Sequence, residues 1–101
     1  MKIQRLNHSA YRHQYHVVWG TKHRRRWLKA YVKEELITSL YSTIKKYPTL
    51  FLHAINTDED HVHLQICIPP NIAVSDAVCK LKSNSSRHIQ KHFKFIQDMY
   101  I

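Results

Sequence analysis

Residues 61–68 read His-Val-His-Leu-Gln-Ile-Cys-Ile, and this strict alternation constrains the fold more than any other stretch. Along an extended strand, successive side chains point to opposite faces. Val62, Leu64, Ile66 and Ile68 therefore share one face, and His61, His63, Gln65 and Cys67 share the other. A strand that is apolar on one side must bury that side against a second layer. Residues 49–56, TLFLHAIN, read as its partner strand. The acidic stretch 57–60 then reads as the turn of an antiparallel hairpin. Pro69 and Pro70 end the run, because neither can donate to a ladder.

The other elements follow from periodicity. Residues 14–20, QYHVVWG, alternate as a strand with Tyr15, Val17 and Trp19 on one face and His16 and Val18 on the other. Residues 31–47 predict a helix, since Val32, Leu36, Ile37, Leu40 and Ile44 recur at helical spacing. Glu34 and Glu35 lie early in it and Lys45 and Lys46 late, the sense that the helix dipole favours. Residues 74–93 predict a second helix with Val74, Val78, Leu81, Ile89 and Phe93 inward. Its segment 82–87, KSNSSR, is expected to break or re-cap it, because Ser and Asn side chains compete for backbone groups. The order β-α-β-β-α is an α+β, ferredoxin-like pattern without its last strand. The length of 101 residues suits one domain spanning 1–101. An unfinished antiparallel sheet leaves an exposed edge that favours association.

Charge narrows the partner. Sixteen Lys and Arg stand against seven Asp and Glu, a net charge of +9 with a pI near 9.8. That balance points to a polyanion, nucleic acid foremost. The single glycine, Gly20, excludes glycine-rich nucleotide loops. Two cysteines, Cys67 and Cys79, are too few for a disulfide framework and lack a zinc-type spacing. No apolar run reaches the roughly 18 residues that a membrane helix needs. The N-terminal stretch has no signal-like apolar core. A reduced, cytoplasmic setting without a membrane partner is the expectation.

Two basic clusters are candidate phosphate contacts. Lys22, Arg24, Arg25 and Arg26 lie beside Trp27, which can stack on a base or on Arg. Lys80, Lys82, Ser86 and Arg87 mark the second, where short polar side chains can also hold phosphate oxygens. His61 and His63 offer two imidazoles on one face, a spacing suited to chelating one divalent cation; a plain solvent-facing strand is the other reading. Two ligands leave coordination positions open, which fits catalysis better than a structural site. Asp58, Glu59 and Asp60 either tune the imidazoles or form an ordinary polar turn.

The strand-borne HVH followed by PP, after YHVVWGTKHRRR and before VCKLKSNSSR, resembles a known family. It is similar to the single-tyrosine transposases of the IS 200/605 group of bacterial insertion sequences, within the His-hydrophobe-His class. The likeness runs from about Tyr15 to Tyr100. The resemblance implies a ferredoxin-like or RRM-like domain, a homodimer, and hairpin-bearing single-stranded DNA as substrate. It implies metal-assisted cleavage and rejoining through a phosphotyrosine intermediate. It places Mg²⁺ or Mn²⁺ at His61 and His63, and hairpin DNA at Arg24, Arg25, Arg26, Lys82 and Arg87. The family's nucleophilic tyrosine and a metal-completing glutamine lie on a further C-terminal helix that this sequence does not match, so the chain is expected to be C-terminally incomplete. Tyr100 is the one tyrosine of the C-terminal half and the residue to consider for the nucleophile, but none is assigned. The alternative is a non-catalytic single-strand-binding module, with aromatic residues of an open sheet stacking bases, that regulates an active transposase. A small phosphoester hydrolase is a third reading, which the charge disfavours.

Overall fold

The computed structural model describes residues 1–6, 13–96 and 99–100. In chain order they form β1 (Lys2–Leu6), β2 (Gln14–Gly20), a 3-10 turn at Lys22–Arg24, α1 (Ala30–Lys45), β3 (Phe51–Thr57), β4 (His61–Cys67) and α2 (Val74–His92). The sheet runs β1-β2-β4-β3, antiparallel at every pairing. The α+β class and the β3–β4 hairpin agree with the alternation in the sequence.

Register sets the two faces. Tyr15 lies opposite Ile66, Val17 opposite Leu64 and Trp19 opposite Val62. This apolar side is covered by the helices, which bury Val32, Leu36 and Leu40 from α1 and Val78, Leu81 and Ile89 from α2. Each such side chain contributes about 1.5–3 kcal/mol relative to exposure. Ile37 and Ile44 are only half-buried, while Ser39 and Thr43 are buried in their place. The Thr43 hydroxyl donates to the Ser39 carbonyl at 3.0 Å, so burying it leaves no unmet polar group. In β3 a bulge at His53 lets Leu52 and Ile55, three positions apart, both face the core, opposite Ile66 and Leu64.

The structure corrects the sequence reading in two places. The sheet has a fourth strand: β1 lies along β2, with Ile3 opposite Val17 and Arg5 opposite Tyr15. The sheet edges are therefore β1 and β3. Further along β2, the chain returning from α2 takes the same edge. There Thr21 bridges Tyr100, and the Lys22 N–H donates to the Met99 carbonyl at 2.9 Å. The second correction is that α2 runs unbroken through 82–87. The Ser85 hydroxyl donates to the Leu81 carbonyl at 2.7 Å, so it is satisfied inside the helix it was expected to interrupt. Among the described residues, no helix is long and apolar enough to cross a membrane.

Candidate functional site

The sheet face away from the helices carries His61 and His63, both half-buried. They sit opposite Gly20 and Val18 on the neighbouring strand, with ring centroids 6.0 Å apart. His16 joins them, stacked on His63 at 5.7 Å; its strand parity already placed it on this face. The Asp60 carboxylate accepts from His61 Nδ1 at 2.5 Å. That bond fixes the tautomer and leaves Nε2 as the free electron pair, the arrangement typical of metal-bound histidine. Arg24 donates its guanidinium to that same Nε2. The Asp58 carboxylate lies 3.8 Å from His63 Nε2. The donor set fits a divalent cation: two imidazoles side by side, one already oriented by a carboxylate. Remaining positions would go to water or a substrate oxygen. A cation on His61 requires Arg24 to swing aside.

The basic loop is clipped to the acidic turn. The Thr21 N–H donates to the Asp60 carbonyl and the Leu28 N–H to the Glu59 carbonyl, each at 2.9 Å. Side chains add Arg24 to Asp60 at 3.9 Å, Arg26 to Glu59 at 3.8 Å and Lys29 to Glu59 at 3.6 Å. Such exposed pairs contribute about 0–1 kcal/mol each, so the backbone bonds do most of the fixing. Between the two clips, His23 and Arg24 adopt φ of 58° and 56°, left-handed values that non-glycine residues rarely take. The turn at 58–60 is therefore the anchor of the arginine loop. Nothing local in the sequence marked that role, which depends on contacts across about forty positions of chain. Arg25 lies over the Trp27 ring at 5.6 Å.

The remaining predicted DNA contacts fall elsewhere. Lys82 and Ser86, one turn apart on α2, line a groove of about 400 Å³ with Met1, Cys79 and Tyr100. Lys80 and Arg87 lie on the other flank of the helix. Lys80 Nζ sits 4.9 Å over the Tyr47 ring, and Arg87 lines a cleft with Ser42 and Lys46 of the α1 side. The structure thus brings Lys22 and Arg24–Arg26 to the histidine end of the sheet. It leaves the α2 residues in the helical layer, with the sheet between them and His61 and His63.

Tyr100 also belongs to the helical side. Its ring meets Trp19 edge-on at 5.8 Å, and its hydroxyl is 3.2 Å from Ser85 Oγ. Burial pushes its phenol up to about 12, against the Ser85 hydrogen bond. Tyr15 packs on the core from β2, while Tyr31, Tyr41 and Tyr47 lie in or just after α1. No described tyrosine stands on the histidine face; Tyr11 lies outside the described residues. Among the described residues, the open face likewise carries no Trp or Tyr of the kind a base-stacking sheet would show. Its rings are His16, His53, His61, His63 and, at the β3 end, an exposed Phe51.

Known proteins share this sequence and fold. A family model described as "Transposase IS200 like" matches residues 9–101. Transposases for the insertion sequence element IS200 from Salmonella typhimurium and Salmonella typhi are each 25% identical over 95 residues, 94% of this chain. The chain spans about 62% of the length of these curated relatives. A crystal structure from Deinococcus radiodurans R1, described as a candidate transposase, is 28% identical with a TM-score of 0.79, covering 91% of this chain and 70% of that one. A REP-associated tyrosine transposase bound to a REP hairpin shares the fold with a TM-score of 0.66 at 14% identity, over 100% of this chain and 58% of that one. With the family match running from residue 9 to residue 101, the chain belongs to the IS200-like transposase family.

Proposed function

We propose that the protein binds hairpin-bearing single-stranded DNA of an insertion sequence and sets a phosphodiester against a divalent cation held by His61 and His63. The observation that carries this reading is the clipped loop. It places Arg24, with Arg25 and Arg26 beside it, at the same end of the sheet as the imidazole pair, where Arg24 already touches His61. Guanidinium groups match phosphate oxygens through their planar fork. When DNA arrives, Arg24 exchanges His61 for phosphate, freeing Nε2 for the cation. Asp60 keeps the His61 ring oriented through that exchange. Mg²⁺ or Mn²⁺ bound there would polarise a phosphoryl oxygen.

In the complete reaction a tyrosine hydroxyl attacks phosphorus. The tyrosyl O–P bond forms as the P–O3′ bond breaks, the 5′ phosphate stays on tyrosine, and the 3′ oxygen leaves as a hydroxyl with the proton. The residues on the histidine face account for binding and orientation in this scheme. The position of the described tyrosines on the helical side favours a second reading, a non-catalytic DNA-binding protein that regulates an active transposase. A homodimer belongs to both readings, and sedimentation equilibrium reads it directly.

The test is incubation with Mn²⁺ and single-stranded hairpin oligonucleotides, resolved on native and denaturing gels. A shifted complex that weakens in Arg24→Ala/Arg25→Ala supports the binding surface. A covalent protein–DNA adduct selects the enzyme, and a shift without an adduct selects the binding protein. Absence of any shift at low salt refutes both. Equal Mn²⁺ affinity in His61→Ala/His63→Ala refutes the metal assignment.

A further inference from the structure

The helical layer carries a second group of metal-ligating side chains, remote from the histidine face. Glu35 projects from the second turn of α1, and His88 and His92 from the last turns of α2. His88 Nε2 is 2.7 Å from Glu35 Oε2, and His92 Nε2 is 3.9 Å from the same oxygen. The three donor atoms all lie within 4.8 Å of one another. The two imidazoles are one helical turn apart, with centroids at 4.3 Å. That i, i+4 spacing is how a helix presents two histidines to one zinc ion.

We infer that Glu35, His88 and His92 form a second metal site, selective for a zinc-class ion, that ties α1 to α2. His92 supplies the decisive detail. Its Nδ1 lies 3.1 Å from the His88 carbonyl, which can only accept, so Nδ1 carries the proton. In the neutral ring Nε2 is then a bare electron pair, and it faces a carboxylate. His92 Nε2 and the Glu35 carboxylate, 3.9 Å apart, are thus two donors that one cation can bridge. Metal bonds of about 2.0–2.2 Å in tetrahedral geometry hold donors roughly 3.4 Å apart. The observed 2.7 and 3.9 Å bracket that value, and the three side chains are a third to a half exposed. Two imidazoles and one carboxylate suit Zn²⁺, Co²⁺ or Ni²⁺ over Mg²⁺. Three protein ligands leave one position to water.

This site lies across the sheet from His61 and His63 and does not depend on how that face is read. The experiment uses the His61→Ala/His63→Ala protein, which retains the helical site alone, titrated with Co²⁺ and Zn²⁺. The expected result is a visible Co²⁺ ligand-field band, a rise in thermal midpoint with Zn²⁺, and no rise with Mg²⁺ at the same concentration. His92→Gln or Glu35→Gln, added to that background, should weaken binding at least about tenfold and abolish the band. No Co²⁺ band and no Zn²⁺ stabilisation would overturn the inference. So would a band and an affinity unchanged by both substitutions, and so would equal stabilisation by Mg²⁺. Circular dichroism of each variant confirms that the helices persist.

Discussion

Replacing Tyr100 with Phe should change how stability depends on alkaline pH. The phenol is raised from 10.0 to about 12 by burial on the core side of Trp19, so the folded chain keeps its proton longer than the unfolded one. Its contribution is fully present below pH 10 and is lost as pH rises towards 12. At about 1.36 kcal/mol per unit, the wild type loses about 1.4 kcal/mol by pH 11 from this group, and Tyr100→Phe loses none of it. Against that, the substitution deletes the hydrogen bond with Ser85, costing about 1 kcal/mol below pH 10. The variant should therefore be the weaker protein at pH 8 and the stronger one above a crossing between about pH 10.5 and 11. Urea unfolding of both proteins from pH 8 to 11 reads this directly. With slopes of about 1–3 kcal/mol per molar, the relative midpoint should move by about 0.5–1.4 M. Midpoints that run parallel across the whole range would refute the placement of Tyr100. They would also reopen it as a nucleophile, because a phenol that ionises freely is one that could attack phosphorus.

Three further outcomes follow from the geometry. Asp60→Asn removes the carboxylate from His61 Nδ1 but keeps the backbone clip, so Mn²⁺ affinity should fall about 10–100-fold by calorimetry with little change in thermal midpoint. Leu81→Ala empties a fully buried position under the sheet and should cost about 2–5 kcal/mol in denaturant unfolding. Gly20→Ala should be nearly neutral, within about 0.5 kcal/mol in the same assay, because Gly20 does not adopt positive φ and an added Cβ would meet the Asp60 carbonyl at an ordinary 3.4 Å.

The histidine face was legible because strand parity is a local rule. Val62, Leu64 and Ile66 fix which way His61 and His63 point, whatever the rest of the chain does. β1 was not legible, since KIQRL offers only Ile3 and Leu6, whose spacing does not alternate, and its place comes from pairing with β2. The break expected at 82–87 was read from composition, but the Ser85 hydroxyl finds its acceptor one turn back at Leu81. The seating of Arg24 on His61 depends on two successive left-handed residues, which no glycine announces. The His88 and His92 spacing was visible in RHIQKH; the third ligand, Glu35, reads alone as a dipole charge and gains its role when α1 packs on α2.

The clip that binds residues 21–28 to the hairpin turn also divides the loop by time scale. The amides of Thr21, Lys22 and Leu28 are held by carbonyls from distant segments and should exchange with solvent slowly, as part of the sheet. The guanidinium groups of Arg24, Arg25 and Arg26 stay largely exposed, resting on His61 and Asp60, on the Trp27 ring and on Glu59, contacts that a ligand can exchange. The backbone entropy of the loop is therefore lost when the domain folds, before any ligand arrives. Association has only side chains left to order, at about 0.5–1.5 kcal/mol each. On the proposed reading, a rigid frame with exchangeable charges would follow phosphates of differing backbone shape, fixing where a strand lies and leaving the choice of its sequence to other contacts.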